Sequence, residues 1–210
     1  MMGFIKKDLL LVKKNLKTLI VIAVLFIFMA IQNIFDLSVV LPVMGLMVFI
    51  STFSYDDYNG FNSYVVGMPN GRKNAVKGKY VSSIILGVIL LILSILIFYL
   101  AKIFNNEQIS INDIRNIVIT SYSSICIIIA FMYPIIYKFG ATNGRIWIFI
   151  IVFLIFGVFA LLSKFVNLNN VVNLFNQIEH CNTILIIIIS FLILLLSYKI
   201  SLHIYKNKEF

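Results

Sequence analysis

Residues 81–101 read VSSIILGVILLILSILIFYLA, a run without a single charge. As a helix it rises about 31 Å, the thickness of the hydrocarbon core of a bilayer. Five more uncharged apolar runs, at 18–35, 37–54, 117–137, 146–163 and 183–198, are of similar kind. Lipid offers the backbone no hydrogen bonds, so a spanning segment must be a helix or part of a closed barrel. Barrel strands alternate apolar and polar positions, and stretches such as 125–130 and 184–189 do not. The expected fold is an all-α polytopic membrane protein with six transmembrane helices. Composition agrees, with 61% hydrophobic and 12% charged residues, against about 45–50% and about 25% in soluble domains. Cys126 falls in the fourth run and Cys181 in an outer connection, so the two read as unrelated thiols.

Cations orient the spans, because Lys and Arg beside span ends stay on the cytoplasmic side. With the N-terminus inside, that side receives Lys6, Lys7, Lys13, Lys14, Lys17, Arg72, Lys73, Lys77, Lys79, Lys138, Arg145, Lys199, Lys206 and Lys208. Only Lys102, Arg115 and Lys164 fall outside. The expected location is therefore the cell membrane, multi-pass, with both termini cytoplasmic. The formal charge of +9 reads as this topological signal and not as a nucleic-acid footprint. A cleavable signal peptide fits poorly, since 28–35 holds no small-x-small site and losing the first run would spoil the sorting.

Residues 1–17 form a unit distinct from the transmembrane domain at 18–210. On a helical wheel Ile5, Leu9, Val12 and Leu16 share one sector while Lys6, Lys7, Lys13, Lys14 and Lys17 gather opposite. That is the pattern of an in-plane interfacial helix whose lysines meet anionic headgroups. The longest internal cytoplasmic connection, 55–80, has its own order. Asp56 and Asp57 suit the positive end of a helix dipole, and Tyr58, Phe61, Tyr64 or Val65, and Met68 follow at helical spacing. Met68, Pro69, Asn70 and Gly71 then make a β-turn, and Arg72, Lys73, Lys77 and Lys79 lead into the third run. The exposed aromatics serve either as protein-docking anchors or as headgroup-level residues. Between the fifth and sixth runs Phe165, Leu168, Val171, Val172, Phe175 and Ile178 share a face, which predicts an outer helical hairpin.

Signatures of chemistry are sparse. No ionisable residue lies deep in a span, as an ion-coupled transporter would need. Asp36 occupies the outer turn beside Gln32 and Asn33, and no repeat relates the two halves. Tyr55 and Asp56 have no second intramembrane aspartate to share a proton, and Glu179, His180 and Cys181 cannot close a metal site as sequence neighbours. Gly78, Lys79 and Tyr80 fail the phosphate-loop pattern, because Lys73 stands where its first Gly belongs. No catalytic, cofactor-binding or metal residue is expected. Ser51, Thr52, Thr120, Ser121, Ser123 and Ser124 either line a cargo path or are ordinary interhelical hydrogen-bonders.

The layout resembles the permease subunit of an ABC exporter of the ABC-2 type, in its short bacterial six-span branch. The likeness of layout covers the whole chain. That of sequence rests on the acidic pair Asp56 and Asp57 with Tyr58 and Phe61, then Met68 and Pro69, then Arg72 and Lys73, then Lys79 and Tyr80. Met68 replaces a common Leu, and Asn70 with Gly71 replaces small apolar and hydroxyl residues. The resemblance implies a coupling helix between spans two and three, two cytoplasmic ABC ATPase subunits that hold the ATP and Mg, and a second permease chain, identical or different. It makes Asp56, Asp57, Tyr58, Phe61, Tyr64, Arg72 and Lys73 the expected ATPase-coupling residues. Membrane-active peptides, antibiotics or lipid-like molecules are the implied cargo, as for the related exporters of phenol-soluble modulins. The rival expectation is a non-transporting immunity or sensor-scaffold protein that binds a toxin or partner without ATP.

Overall fold

The computed structural model describes residues 2–31, 37–106, 108–144, 146–148, 150, 153 and 183–208. Every element among them is a helix: α1 (Met2–Lys14), α2 (Leu16–Ile31), α3 (Leu37–Tyr58), α4 (Phe61–Val66), α5 (Gly71–Phe104), α6 (Ile111–Phe139) and α7 (Thr183–Asn207). A further helical turn occupies 141–144. Among the described residues three helices, α5, α6 and α7, are long and apolar enough to cross a membrane. They contain the third, fourth and sixth expected spans. Helix α2 is apolar and covers the expected first span as far as Ile31, and α3 contains the second and runs on to Tyr58. The expected fifth span lies outside the described residues, apart from 146–148, 150 and 153, and so does the outer hairpin with Cys181.

The basic stretch before the third span is not a loop. Residues Gly71–Phe104 form one continuous helix of 34 residues, about 51 Å long and so well beyond the roughly 30 Å of hydrocarbon. Its start is set by the expected β-turn: Gly71 N–H donates to Met68 O at 3.0 Å, and Asn70 takes the left-handed φ of 54°. Pro69 before a left-handed residue is the signature of a type II turn. A Cβ on Gly71 would lie 2.0 Å from Val65 O, so only glycine lets α4 fold back on the start of α5. At its far end, α6 begins with a capping box between Ser110 and Asp113.

Helices α3, α5, α6 and α7 pack together, and α1 lies against α5 and α3. Aromatic rings fill the centre: Tyr133 meets Phe53 at 5.0 Å and Tyr80 at 4.9 Å, and Phe53 meets Tyr137 at 5.4 Å, all edge-on. Hydroxyls tie α5 to α7, with Tyr80 Oη 2.7 Å from Ser197 Oγ and 2.8 Å from Ser201 Oγ. Ser197 gives its own proton to Ala130 O, so it accepts from Tyr80, and Tyr80 in turn accepts from Ser201. Cys126 is buried in α6 as a free thiol.

Candidate functional site

The chain leaves α3 through Asp56 and Asp57, which occupy its last turn. This corrects the reading that put them at the positive end of the loop helix. The helical run does not stop at Ser54, and Gly60, at φ 62°, separates it from α4. Two carboxylates at the negative end of a dipole need compensation from elsewhere in the fold. Asp57 finds it in one backbone and one side-chain amide: its Oδ2 accepts from Ala141 N–H at 2.7 Å, at the start of the 141–144 turn, and Oδ1 accepts from Asn62 Nδ2 at 2.7 Å.

Asp56 finds it in lysines. Lys79 Nζ donates to Asp8 Oδ1 at 2.9 Å and Thr52 Oγ1 at 2.9 Å, and forms an ion pair with Asp56 Oδ2 at 2.7 Å. Lys7 Nζ binds Asp56 Oδ1 and lies 3.4 Å from Asp8 Oδ1. The same ammonium sits 3.6 Å above the ring of Phe61. Asp8, Asp56 and Lys79 expose only 1%, 7% and 5% of their surface, so water does little to screen them. Two positive and two negative groups make the cluster neutral, and it joins α1, α3 and α5 at one point. Its entry to α1 follows from spacing: Phe4, Asp8 and Val12 stack at i, i+4 and i+8 on the inner face. Gly78 lets that face approach, since a Cβ there would lie 2.9 Å from Phe4 Cβ.

Around the cluster the ends of α4, α5, α6 and α7 are tied together. Tyr205 Oη of α7 donates to Asn62 Oδ1 at 2.9 Å, Arg72 Nη1 donates to Lys206 O, and Lys208 Nζ donates to Tyr137 O at 2.9 Å. The cavity between them measures about 30 Å³, room for water and far short of the roughly 300 Å³ that an organic ligand needs. Its chemistry is that of a joint.

The expected coupling residues therefore divide into two sets. Tyr58 and Tyr64 are 89% and 64% exposed, and Lys73 is also exposed. Asp56 is buried, Asp57 anchors the 141–144 turn, Arg72 holds the end of α7, and Phe61 turns inward to meet Phe4 edge-on at 5.9 Å. The expected interface helix divides similarly. Lys6, Lys13, Lys14, Leu16 and Lys17 are exposed and Ile5 and Leu9 half-buried, whereas Val12 is buried and Lys7 points into the cluster. Of the hydroxyls read as path or glue, Thr52 belongs to the cluster and Ser51 accepts from Asn15 Nδ2 at 2.9 Å. Ser51, Thr52, Thr120, Ser123 and Ser124 each donate to a carbonyl of their own helix, and Ser121 meets Ser94 at 3.3 Å.

Compared with known proteins, residues 3–206 match the family model described as ABC-2 family transporter protein. The chain belongs to that family. No curated protein and no solved structure matches it. The ABC-2 protein is thus the membrane-spanning permease component of an ABC transporter, a family whose members associate with an ATPase subunit and are themselves normally non-catalytic. Sequence reasoning missed Asp8 as a partner of this joint, and read Lys79 as a basic residue opening the third span rather than as a buried one. The signal was present: Asp8 is the one acid among five lysines, four residues from both Phe4 and Val12.

Proposed function

We propose that this ABC-2 permease seats α4 in a cytoplasmic ATPase subunit through Tyr58 and Tyr64, and that the Asp56 cluster passes the resulting movement to α1 and α5. The observation that carries this reading is the division of one short segment into two faces. Its outward aromatics have no described partner surface to cover them, while its inward residues reach α1, α5, α7 and the 141–144 turn. Exposed tyrosines are common anchors of protein interfaces, and fixed hydrogen bonds on the opposite face make α4 a lever. Lys73 supplies a positive rim beside them. The segments that meet here carry most of the chain's cations, which supports a cytoplasmic location for this end and for both termini.

On this reading two permease chains pair within six-span halves, two ATPase subunits bind the ATP and Mg, and closure of the ATPases drives export. Apolar spans, with their described buried charges gathered at the basic end, suit a hydrophobic or amphipathic cargo such as a membrane-active peptide, an antibiotic or a lipid-like molecule. Co-purification with the ATPase encoded beside it, under mild detergent, tests the assignment. Tyr58→Ala with Tyr64→Ala is expected to weaken that association roughly thirtyfold or more, the effect of losing about 2 kcal/mol at an interface hot spot. Undiminished association and unchanged transport-coupled hydrolysis in the double variant would refute the docking role.

A further inference from the structure

We propose that the groove between the α1–α2 elbow and α5 binds one anionic phospholipid, with an acyl chain in the groove and the headgroup at Lys13. The groove encloses about 330 Å³, at the lower end of the range for sites that take small ligands. Leu9 and Leu16 of the elbow, Leu19 and Ile20 of α2, and Leu86 and Leu93 of α5 form its walls. Lys13 is the only charged residue among the twelve that line it. Lys14 and Lys17, both exposed, lie within a turn of Lys13 in sequence.

An apolar slot with cations at one end matches an amphiphile with an anionic head, and inner-leaflet lipids are attracted to such lysines. Its size argues against a second copy of the chain, because a stable protein interface engages roughly 20–30 residues on each side. Its setting argues for a lipid: Ile20 and Ile89 are 59% and 47% exposed at its margin, so the groove opens where hydrocarbon would meet the protein. The site also touches the joint. Leu9 follows Asp8 in sequence, so a chain packed on Leu9 braces α1 beside the buried cluster.

The test uses the full-length protein in phosphatidylcholine vesicles containing phosphatidylglycerol with a photoreactive acyl chain, together with native mass spectrometry of delipidated protein titrated with either lipid. The wild type is expected to retain phosphatidylglycerol several-fold better than phosphatidylcholine and to be labelled mainly within 9–23 and 86–93. Lys13→Glu should abolish the preference between headgroups. Ala23→Phe, which fills the groove from α2, should remove labelling there while leaving that of the exposed α7 surface. Lys13 is a surface residue, so the headgroup result stands even where Ala23→Phe fails to fold. Equal retention of both lipids by the wild type, or labelling no stronger in the groove than on α7, would each overturn the assignment.

Discussion

Lys79 keeps its ammonium inside the protein, hydrogen-bonded to Asp8 and Thr52 and ion-paired with Asp56. Removing one member of a buried ion pair leaves the other charge uncompensated, at a cost of about 3–5 kcal/mol. Lys79→Ala is therefore expected to lower stability by about 3 kcal/mol, read from reversible unfolding in mixed micelles. The exchange Asp8→Lys with Lys79→Asp should restore a large part of the loss. A change within about 0.5 kcal/mol for Lys79→Ala would show that the cluster is solvated and structurally idle. Of these residues Asp56 stood out in the sequence, because an acidic pair after an apolar run is conspicuous. Its partners did not, since Asp8 lies 48 positions away and no local pattern records which lysine turns inward. Lys7 and Lys6 are neighbours of identical chemistry, yet only Lys7 has its ammonium in the cluster.

At the scale of elements, the turn at Met68–Gly71 was legible because Pro, Asn and Gly each fix backbone angles locally. The limits of α3 and α5 were not, because nothing in the sequence forces a helix to end where the membrane ends. Polar residues continue both helices past the apolar runs, to Tyr58 in α3 and from Gly71 in α5. Gly71→Ala tests the close approach of α4 to α5: with a Cβ 2.0 Å from Val65 O the turn must shift. A loss of about 1–3 kcal/mol is expected, with faster amide exchange confined to α4 and the first turn of α5. Asn62→Ala combined with Tyr205→Phe removes the tie between α4 and α7, worth about 1 kcal/mol. The ATPase should still bind this variant, but transport per ATP hydrolysed should fall, as measured in proteoliposomes. Unchanged coupling would mean that α7 takes no part in the movement.

Across the whole molecule, α1, the α3–α5 connection, the end of α6 and the end of α7 converge at one end of the bundle, and the buried cluster lies among them. Hydropathy and charge sorting made the helical membrane fold and its basic end legible, because lipid constrains backbone and cations independently of detailed packing. The joint depends on packing and appears only in three dimensions. Its orientation has a direct check: in a Cys126→Ala and Cys181→Ala background, Lys73→Cys and Lys208→Cys should react with a membrane-impermeant thiol reagent in inside-out vesicles and not in intact cells. The central claim is that α4 meets the ATPase through its outward face and the permease through its inward face. It is tested most directly by Tyr64→Cys paired with single cysteines placed on the ATPase, in a Cys126→Ala and Cys181→Ala background. A disulfide that forms in high yield and blocks transport until reduced is the predicted result. Absence of crosslinking from Tyr64→Cys, with efficient crosslinking from a cysteine at Asn106 near the opposite end of α5, would contradict it.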